Sequence, residues 1–576
     1  MKGRGRQTAR WRAVWMTIMT AAFMGFLMAR LVIIQVGERQ ALDQYEASFQ
    51  VKHITLPATR GDIVDTNGQI LAMDVPRDQI VAAPRYITQP KREAVALAKY
   101  LPFSVKQLYG VLANKSWYAV LDNSVSPALA ARINRLNLVG VSVIPVTGRE
   151  YPDNTLASQI LGWVGSTFQG AAGIEYQDNK VLAGTPGSWT VRTDPQGNPM
   201  FSWQQAYVAP KSGDTVQLTI DSNIEADAQK WLKWGIKRAH AKNGTVVILN
   251  SHTGAIVALA NWPNFNPNNL NTVTSENQND FGVQYLFPPG SIFKPVTTAA
   301  ALSLGLFTPN SMFYTRGYKI VDGVRINDWN PVGWGWITLT RGLEVSSDQV
   351  FMDVALKLGA ASLYHFVNLF QLNHTSNEGL PGDAQPEWLP VNQVNPVDLA
   401  TEGFGQGMAL TAMDMVAADN AIANDGTMVQ PHIVKAILSP TGKVIQRTPI
   451  TVESHPVTVA VARQIQHMMT LEATYGTGVP AQVPGYIIAG KTGTAQKIIN
   501  GKTSNSQFVS SYLGMAPMPN PKFIMLVSIN HPVGKLFYGD QVSAPVWKHI
   551  AEYLFKYWNI KPYAGPDNGS KPGSVP

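Results

Sequence analysis

A serine and a lysine three residues apart, Ser291 and Lys294, could together perform covalent chemistry. A serine hydroxyl is a weak nucleophile until a nearby base takes its proton, and a lysine one helical turn away is within reach. Gly290 precedes an apolar run, 291–306, which is typical of a buried helix, so we expect Ser291 to begin that helix and to face Lys294. Backbone N–H groups at a helix N-terminus can stabilise an oxyanion, and we expect the Ser291 N–H to be one donor.

A second lysine begins the run Lys491-Thr492-Gly493-Thr494. The β-branched residues and glycines of this segment predict a strand alongside which an extended peptide can pair. We expect the hydroxyls of Thr492 and Thr494 to be free to bind a terminal carboxylate, and the Thr494 N–H to be the second oxyanion donor. Lys491 would be a nearby cation that favours the neutral, basic form of Lys294.

Between these motifs lies Ser346-Ser347-Asp348, where the common SxN pattern has asparagine in third place. We interpret Ser346 as the hydroxyl that passes protons between the two lysines, and Asp348 as a substrate-binding or oxyanion-site residue. An ionised aspartate only accepts hydrogen bonds, so Asp348 could instead pair with a lysine. Alternatively, Ser347 or Asp348 caps a helix over 349–358.

The three motifs, in this order, resemble those of class B penicillin-binding proteins, which are membrane-anchored peptidoglycan transpeptidases. The departures are Asp348 and Thr66, where that family more often has asparagine and arginine. Further matches extend the resemblance over nearly the whole chain: residues 60–68, Leu71-Ala72, Arg149, Tyr151-Pro152, Gly170, Gly173, Glu175, Leu182, Gly184, residues 380–383, residues 403–407 and Tyr538-Gly539.

The resemblance implies an α+β fold with an N-terminal transmembrane helix, an extended and mostly β pedestal, and a transpeptidase domain whose antiparallel sheet is flanked by helices. It implies that Ser291 attacks the D-Ala-D-Ala carbonyl of a peptidoglycan stem peptide, that an amine of a neighbouring stem resolves the acyl-enzyme, and that β-lactams acylate the same serine. It implies no cofactor. The implied partners are a membrane-embedded glycosyltransferase and proteins of the divisome or elongasome.

Two features bear on the subfamily. Val483-Pro484-Gly485-Tyr486 resembles division-type or sporulation-type enzymes, whereas Pro288-Pro289-Gly290 together with Asp348 resembles elongation-type enzymes. We favour the division or sporulation type. Two functional alternatives stay open: a D,D-carboxypeptidase or β-lactamase-like hydrolase, and a weakly catalytic scaffold of the division complex.

The N-terminal region predicts a membrane anchor. Residues 13–36 are mostly apolar and carry no charge except that of Arg30, and a stretch of this length is enough to span a bilayer. The preceding basic residues predict a single-pass protein of the cytoplasmic membrane with a cytoplasmic N-terminus and an extracytoplasmic catalytic domain; they are Lys2, Arg4, Arg6, Arg10 and Arg12. A cleaved signal peptide is the alternative, but no small-residue cleavage pattern follows the apolar run.

Composition excludes several function classes. The chain has no cysteine, which excludes a thiol mechanism and disulfides. The N-terminal basic residues account for five of the +8 formal charges, so the remainder is near neutral and gives no argument for nucleic-acid binding. The ten histidines lack metal-ligand spacing, and no metal site is predicted.

The predicted domains are a cytoplasmic tail (1–12), the anchor (13–36), the pedestal (37–222), the transpeptidase domain (223–561) and a disordered tail (562–576). The predicted elements of the catalytic domain are a helix over 221–239, strands over 244–250 and 255–260 joined by a two-residue turn, strands over 511–516 and 523–529 beside the Lys491 strand in one antiparallel sheet, and a final helix over 544–557 packed on that sheet. Trp329, Trp334 and Trp336 either line a substrate groove or pack in the core.

Overall fold

The computed structural model describes residues 4–37, 50–193, 206–499 and 502–563. The chain divides into two compact units, one of residues 1–59 and 184–212 and the other of residues 60–183 and 213–576. All but two residues of the predicted disordered tail, 562–576, lie outside the described residues, as do residues 1–3 of the predicted cytoplasmic tail.

The strands of the described residues alternate with helices along the chain. In chain order the strands are β1 Gln50–Leu56, β2 Ile63–Val64, β3 Ile70–Ala82, β4 Ala119–Val125, β5 Val141–Glu150, β6 Gly187–Thr193, β7 Ala206–Val208, β8 Thr215–Leu218, β9 Asn243–Asn250, β10 Ile256–Trp262, β11 Met312–Thr315, β12 Tyr318–Val321, β13 Val324–Asn327, β14 Gly335–Thr338, β15 Met428–Val429, β16 Val434–Leu438, β17 Val444–Arg447, β18 Val452–Ser454, β19 Ala489–Ile499, β20 Lys502–Ala516 and β21 Phe523–Asn530.

The α-helices are distributed along the whole of the described chain. In chain order they are α1 Arg4–Val32, α2 Pro90–Leu97, α3 Val105–Leu112, α4 Pro127–Asn134, α5 Ser158–Leu161, α6 Gly173–Gln177, α7 Asn179–Leu182, α8 Ser222–Arg238, α9 Lys294–Ser303, α10 Leu339–Glu344, α11 Asp348–Leu358, α12 Ala360–Leu369, α13 Pro396–Glu402, α14 Ala412–Ala423, α15 Val459–Tyr475 and α16 Gly539–Tyr557. The mixture of helices and mainly antiparallel sheets confirms the predicted α+β class.

In the first unit, the apolar helix extends over Arg10–Gly37 and has a mean hydropathy of 2.0 in its most apolar window. At about 1.5 Å per residue its length exceeds the hydrocarbon thickness of a bilayer, about 30 Å. The helix therefore suggests a membrane anchor. The same unit contains an antiparallel sheet in the order β1-β6-β7.

The second unit contains the predicted catalytic sheet, in the order β10-β9-β21-β20-β19. All four pairings are antiparallel, which confirms the prediction that the Lys491 strand and the predicted strands over 511–516 and 523–529 lie in one antiparallel sheet; the Lys491 strand itself pairs with β20. The strand β19 is the last strand of this sheet. Its position at the edge leaves one side available for an added peptide strand.

The catalytic sheet is buried on both faces. In β9, Val246 and Ile248 belong to the core under α8 and α16, whereas Val247 and Leu249 belong to the core on the opposite face, with α9 and α14. Successive side chains of a strand point to opposite faces, so a strand covered on both sides is apolar throughout. This is why the run 244–250 lacks an alternating pattern.

Several predicted boundaries are wrong, and the strand predicted over 511–516 begins at Lys502. The connection between β9 and β10 is longer than a two-residue turn, because the Asn250 side chain accepts hydrogen bonds from the backbone N–H groups of His252 and Thr253, both at 3.1 Å. The last helix begins at Gly539 and not at 544. A tertiary contact fixes that start, since the Gly539 N–H donates to Thr494 Oγ1 at 3.0 Å.

A second sheet of this unit has the order β17-β16-β8-β2-β3-β4, with β5 also paired to β3. It joins strands from both sides of the predicted boundary at residue 222, because β16 pairs with β8 and β8 with β2. Nearby, the fully buried Glu175 accepts hydrogen bonds from Arg60 at 2.6 Å and Arg149 at 2.7 Å. Buried charges of opposite sign hold this region to one arrangement, since an unpaired charge there would be costly.

Candidate active site

The turn that carries Ser291 is fixed by two glycines. Residues Gly290–Phe293 form a 3-10 turn that leads directly into α9, so Ser291 lies at a helix N-terminus as predicted, although the helix ends at Ser303 and not at 306. Gly405, at φ +86°, packs so closely that an added Cβ would lie 2.0 Å from the Gly290 carbonyl oxygen. The Gly290 N–H donates to the Gly405 carbonyl at 2.8 Å. The turn at 403–407 therefore supports the turn that carries the nucleophile.

Lys294 is completely buried and its ammonium group meets the middle motif. Nζ donates to the Ser346 carbonyl at 2.7 Å, to Ser346 Oγ at 3.2 Å and to Asp348 Oδ1 at 2.7 Å. Among the described residues, no hydrogen bond joins Lys294 to the half-exposed Ser291 hydroxyl. Hydrogen bonds of this kind often form only when substrate is bound.

The backbone at Ser346 is in the left-handed region, with φ +57°. A side chain other than glycine at such a φ is strained, and strained positions of this kind cluster at functional sites. Here the conformation lets both the carbonyl oxygen and the hydroxyl of Ser346 contact Lys294 Nζ. Ser346 therefore lies next to Lys294, where the sequence predicts a hydroxyl that passes protons.

Asp348 forms an ion pair with Lys294. This is the lysine pairing that was open to it because an ionised aspartate only accepts hydrogen bonds. Burial raises the pKa of Asp348 above its ordinary value, and the Lys294 charge opposes that rise. Ser347 occupies the N-cap position of α11 but its side chain makes no capping hydrogen bond, and Asp348 is the first residue of the helix, so neither side chain caps it. Instead Asp328 Oδ2 accepts from Ser347 Oγ at 2.6 Å and from the Gln349 N–H at 3.0 Å, so it caps α11 from a distant segment.

Lys491, on β19, is also completely buried. Burial lowers the pKa of Lys491 to about 8, Glu472 raises it, and the charge of Lys294 lowers it further. The charge of Lys294 therefore acts on Lys491, whereas the expected effect of Lys491 on Lys294 stays a prediction.

Sequence reasoning missed Glu472, a completely buried residue of α15 for which no motif offers a signal. Its Oε1 accepts hydrogen bonds from Lys491 Nζ at 3.4 Å, from the Thr492 N–H at 3.1 Å and from Thr492 Oγ1 at 3.2 Å. Thr477 Oγ1 donates to the same oxygen at 2.7 Å. The prediction that the Thr492 hydroxyl is free to bind substrate is therefore wrong, because Glu472, Lys491 and Thr477 engage it.

Gly493 brings β19 against the turn that carries Ser291. An added Cβ at Gly493 would lie 2.9 Å from the Ile292 side chain and 3.4 Å from the Pro289 carbonyl. Thr494 is half-exposed and its hydroxyl oxygen accepts the Gly539 N–H, which leaves its proton to donate. The structure thus brings the first and third motifs together at the edge of the sheet.

Trp329 is a partly exposed ring beside the middle motif. Its indole N–H donates to the Val345 carbonyl at 3.0 Å, one residue before Ser346. Its ring centroid lies 5.8 Å from that of Trp334, which packs partly in the core. Trp336 is 67% exposed and its ring lies tilted against that of Tyr314. Packing thus accounts for Trp334, and a substrate contact stays a prediction for Trp329 and Trp336.

Within the described ranges, no group of three or more His, Cys, Asp or Glu side chains is arranged to hold a metal ion. The chemistry available to the site is that of two buried lysines, hydroxyls and backbone N–H groups around one exposed serine. Such a site can transfer an acyl group through the serine.

The chain matches known proteins over most of its length. Residues 244–552 match the family described as the penicillin binding protein transpeptidase domain, and residues 55–218 match the penicillin-binding protein dimerisation domain. Stage V sporulation protein D of Bacillus subtilis is 29% identical over 517 residues, which cover 89% of this chain and 80% of that protein.

Peptidoglycan D,D-transpeptidase FtsI of Escherichia coli is 28% identical over 549 residues, which cover 94% of this chain and 91% of that protein. Among solved structures, penicillin binding protein 3 of Mycobacterium tuberculosis complexed with aztreonam is similar with a TM-score of 0.69 and 25% identity. That similarity covers 89% of this chain and 98% of the other.

Proposed function

Because this chain belongs to the penicillin-binding protein transpeptidase family, we propose that it is a class B peptidoglycan D,D-transpeptidase that works through an acyl-enzyme on Ser291. The observation that carries this assignment is the meeting of the Ser291 turn, buried Lys294 with Ser346, and the edge strand bearing Lys491. Its relatives include proteins named for division and sporulation, and the chain is of that type.

In the first half-reaction the donor stem peptide pairs with the free edge of β19. Ser291 Oγ attacks the carbonyl carbon of the D-Ala-D-Ala bond, its proton passes to a neutral Lys294, and the N–H groups of Ser291 and Thr494 stabilise the oxyanion. The C–N bond then breaks, and the terminal D-alanine leaves with a proton relayed through Ser346.

In the second half-reaction an amine of a neighbouring stem peptide attacks the acyl-enzyme. The new C–N bond forms as the ester bond to Ser291 breaks, and the proton lost by the amine returns to Ser291 Oγ through Lys294 and Ser346. A β-lactam acylates the same serine as its ring C–N bond breaks. The amine of that bond stays attached to the acyl group and does not leave as D-alanine does, so the adduct persists.

The four proposed catalytic residues thus have separate roles: Ser291 is the nucleophile, Lys294 the base, Ser346 the relay, and Lys491 the cation that attracts the terminal carboxylate of the donor. Thr494 and Gly493 line the strand to which the donor binds. Thr492 acts on Lys491 and does not contact substrate. Asp348 neutralises the Lys294 ammonium between proton transfers.

The apolar helix anchors the protein in the cytoplasmic membrane, with the N-terminus cytoplasmic and the catalytic domain extracytoplasmic, where peptidoglycan is assembled. In this location a membrane-embedded glycosyltransferase would supply glycan strands bearing the stem peptides. Divisome proteins would recruit the enzyme, or elongasome proteins if it acts along the cell wall.

The test is the intact mass of the full-length protein in detergent after incubation with benzylpenicillin, beside the Ser291→Ala variant. We expect one covalent adduct on the wild type and none on the variant. An adduct on both would overturn the role of Ser291, and no adduct on either would favour the scaffold alternative.

A second assay separates the transpeptidase from a hydrolase. The protein is given a D-Ala-D-Ala peptide donor with and without a D-amino acid as acceptor amine. We expect the donor to be joined to the acceptor with release of D-alanine. Release of D-alanine with only the hydrolysed donor as product would support a carboxypeptidase.

A further inference from the structure

One buried carboxylate in the site has no role in the mechanism above. We propose that Glu472 is a positioning residue that keeps Lys491 in its ammonium form, aimed at the terminal carboxylate of the donor peptide. This inference rests on the proposed function, because it assigns the residue that prepares Lys491 for that substrate.

Glu472 is enclosed and hydrogen-bonded on several sides, unlike a carboxylate on an exposed helix surface. Its side chain and that of Lys491 are both completely buried. Four donors converge on Oε1: Lys491 Nζ, the N–H and hydroxyl of Thr492, and the Thr477 hydroxyl. A carboxylate that accepts several hydrogen bonds is favoured in its charged form, and its charge then favours a charged lysine beside it.

The turn after α15 is shaped around this carboxylate. An added Cβ at Gly478 would lie 2.2 Å from Glu472 Oε2, so a glycine there leaves room for the second oxygen. Thr477 connects the turn to the strand, because its hydroxyl contacts both Glu472 Oε1 and Thr492 Oγ1. The side chain of Glu472 is thereby held in one position relative to Lys491.

The charged groups that face Lys491 come from four helices: Glu472 from α15, Lys294 from α9, Asp348 from α11 and Asp540 from α16. Asp348 is engaged by Lys294 at 2.7 Å. Within the described residues, Glu472 is the carboxylate that forms an ion pair with Lys491. Glu472 is therefore the group whose removal changes the charge balance at Lys491 most.

The test is the Glu472→Gln variant of the full-length protein in detergent, with the second-order rate of acylation by benzylpenicillin measured from pH 6 to pH 10. The amide oxygen can still accept from Thr492 and Thr477, but the negative charge is lost. Glu472 raises the pKa of Lys491, so its loss lowers that pKa from about 8. The descending limb of the rate profile should move to lower pH by about one unit, a roughly tenfold slower acylation on that limb.

The control is Glu225→Gln, the same change at a buried carboxylate that accepts the Leu259 N–H and the Gln229 amide and has no lysine partner within the described residues. The descending limb of its rate profile should lie at the same pH as in the wild type. An unshifted limb in a folded, acylating Glu472→Gln protein would overturn the inference and leave the proposed function intact. Acylation of Ser291→Ala would instead overturn the proposed function.

Glu472→Asp keeps the test decisive if Glu472→Gln does not fold, as judged by its thermal unfolding transition. The shorter side chain keeps the charge but withdraws it from Lys491. We expect a shift of the same limb in the same direction and less than half as large as for Glu472→Gln. No shift at all would contradict the role given to Glu472.

Discussion

The two buried lysines of the site have different carboxylate partners. Lys294 pairs with Asp348 at 2.7 Å, and Asp348 is still partly open to solvent. Lys491 pairs with Glu472 at the longer distance of 3.4 Å, and both groups are completely buried. In the proposed mechanism Lys294 exchanges protons, whereas Lys491 attracts the terminal carboxylate of the donor. The two lysines are the same residue type and equally buried, so what distinguishes them in the structure is the carboxylate that each one meets.

The largest effect should come from substitution of Lys294, the lysine proposed to exchange protons. Lys294→Ala removes the base for Ser291, and general-base catalysis typically contributes about 10²–10⁴-fold. We expect acylation by benzylpenicillin to slow by about 10³-fold, measured by stopped-flow or by adduct mass over time. Lys491→Ala should slow it less, because the nucleophile keeps its base. Equal losses in the two variants would break the distinction between the lysines.

The support of the nucleophile should have the next largest effect. Gly405→Ala brings a Cβ to 2.0 Å from the Gly290 carbonyl at a positive φ, so the turn that carries Ser291 must move. We expect acylation to slow by about tenfold to a hundredfold, since small misplacements of reacting groups are costly. Thermal unfolding should report a loss of about 1–3 kcal/mol in stability.

The matched control is Gly442→Ala, which has nearly the same φ, +83°, but nothing within 4 Å of the added Cβ. It should lose about 1 kcal/mol from the left-handed conformation alone and acylate at the wild-type rate. An equal loss of rate in both variants would mean that the close approach to Gly290 is unimportant.

The Asp348 partner should have a smaller effect of opposite sign. Asp348→Asn keeps a hydrogen-bond acceptor for Lys294 but removes the ion pair that stabilises its ammonium form. We expect acylation near pH 7 to become faster, by about threefold to tenfold, because more of the base is neutral. The measurement is the pH dependence of the acylation rate. A slower variant would show that Asp348 does more than neutralise Lys294.

A buried carboxyl group without a lysine partner provides the smallest and cleanest test. Burial raises the pKa of Glu225 from 4.5 to about 7, so the folded protein binds a proton that the unfolded chain releases. This contribution is fully present below pH 4.5 and is lost as the pH rises towards 7. The free energy of unfolding of Glu225→Gln relative to that of the wild type should therefore be greater at pH 8 than at pH 5, by about 2–3 kcal/mol, as measured by thermal unfolding at the two pH values.

If the stability of Glu225→Gln relative to the wild type is the same at pH 5 and at pH 8, Glu225 is ionised in the folded protein. That outcome would also weaken its use as a neutral counterpart to the charged Glu472.

Much of the fold followed from local pattern. The apolar run of β9, the helix of Ser222–Arg238 capped by Asp221, and the glycines around Lys491 each encode their element within a few residues. The start of the last helix at Gly539 depends on the side chain of Thr494, which is distant along the chain, and the β9–β10 connection depends on the Asn250 side chain bonding the backbone that follows it. Such contacts leave no periodic signal in the sequence.

By itself the sequence predicted a nucleophile, its base and the strand beside them, because a three-residue helical spacing and a glycine-containing strand are local properties of the chain. Tertiary structure alone decided which carboxylate each lysine meets, that Asp328 caps α11, and that the Thr492 hydroxyl is engaged by Glu472. Asp328 lies on a different segment from the helix it caps, and Glu472 on a different one from Lys491. Only the path of the folded chain, enforced by burial of the charges it brings together, places them in contact.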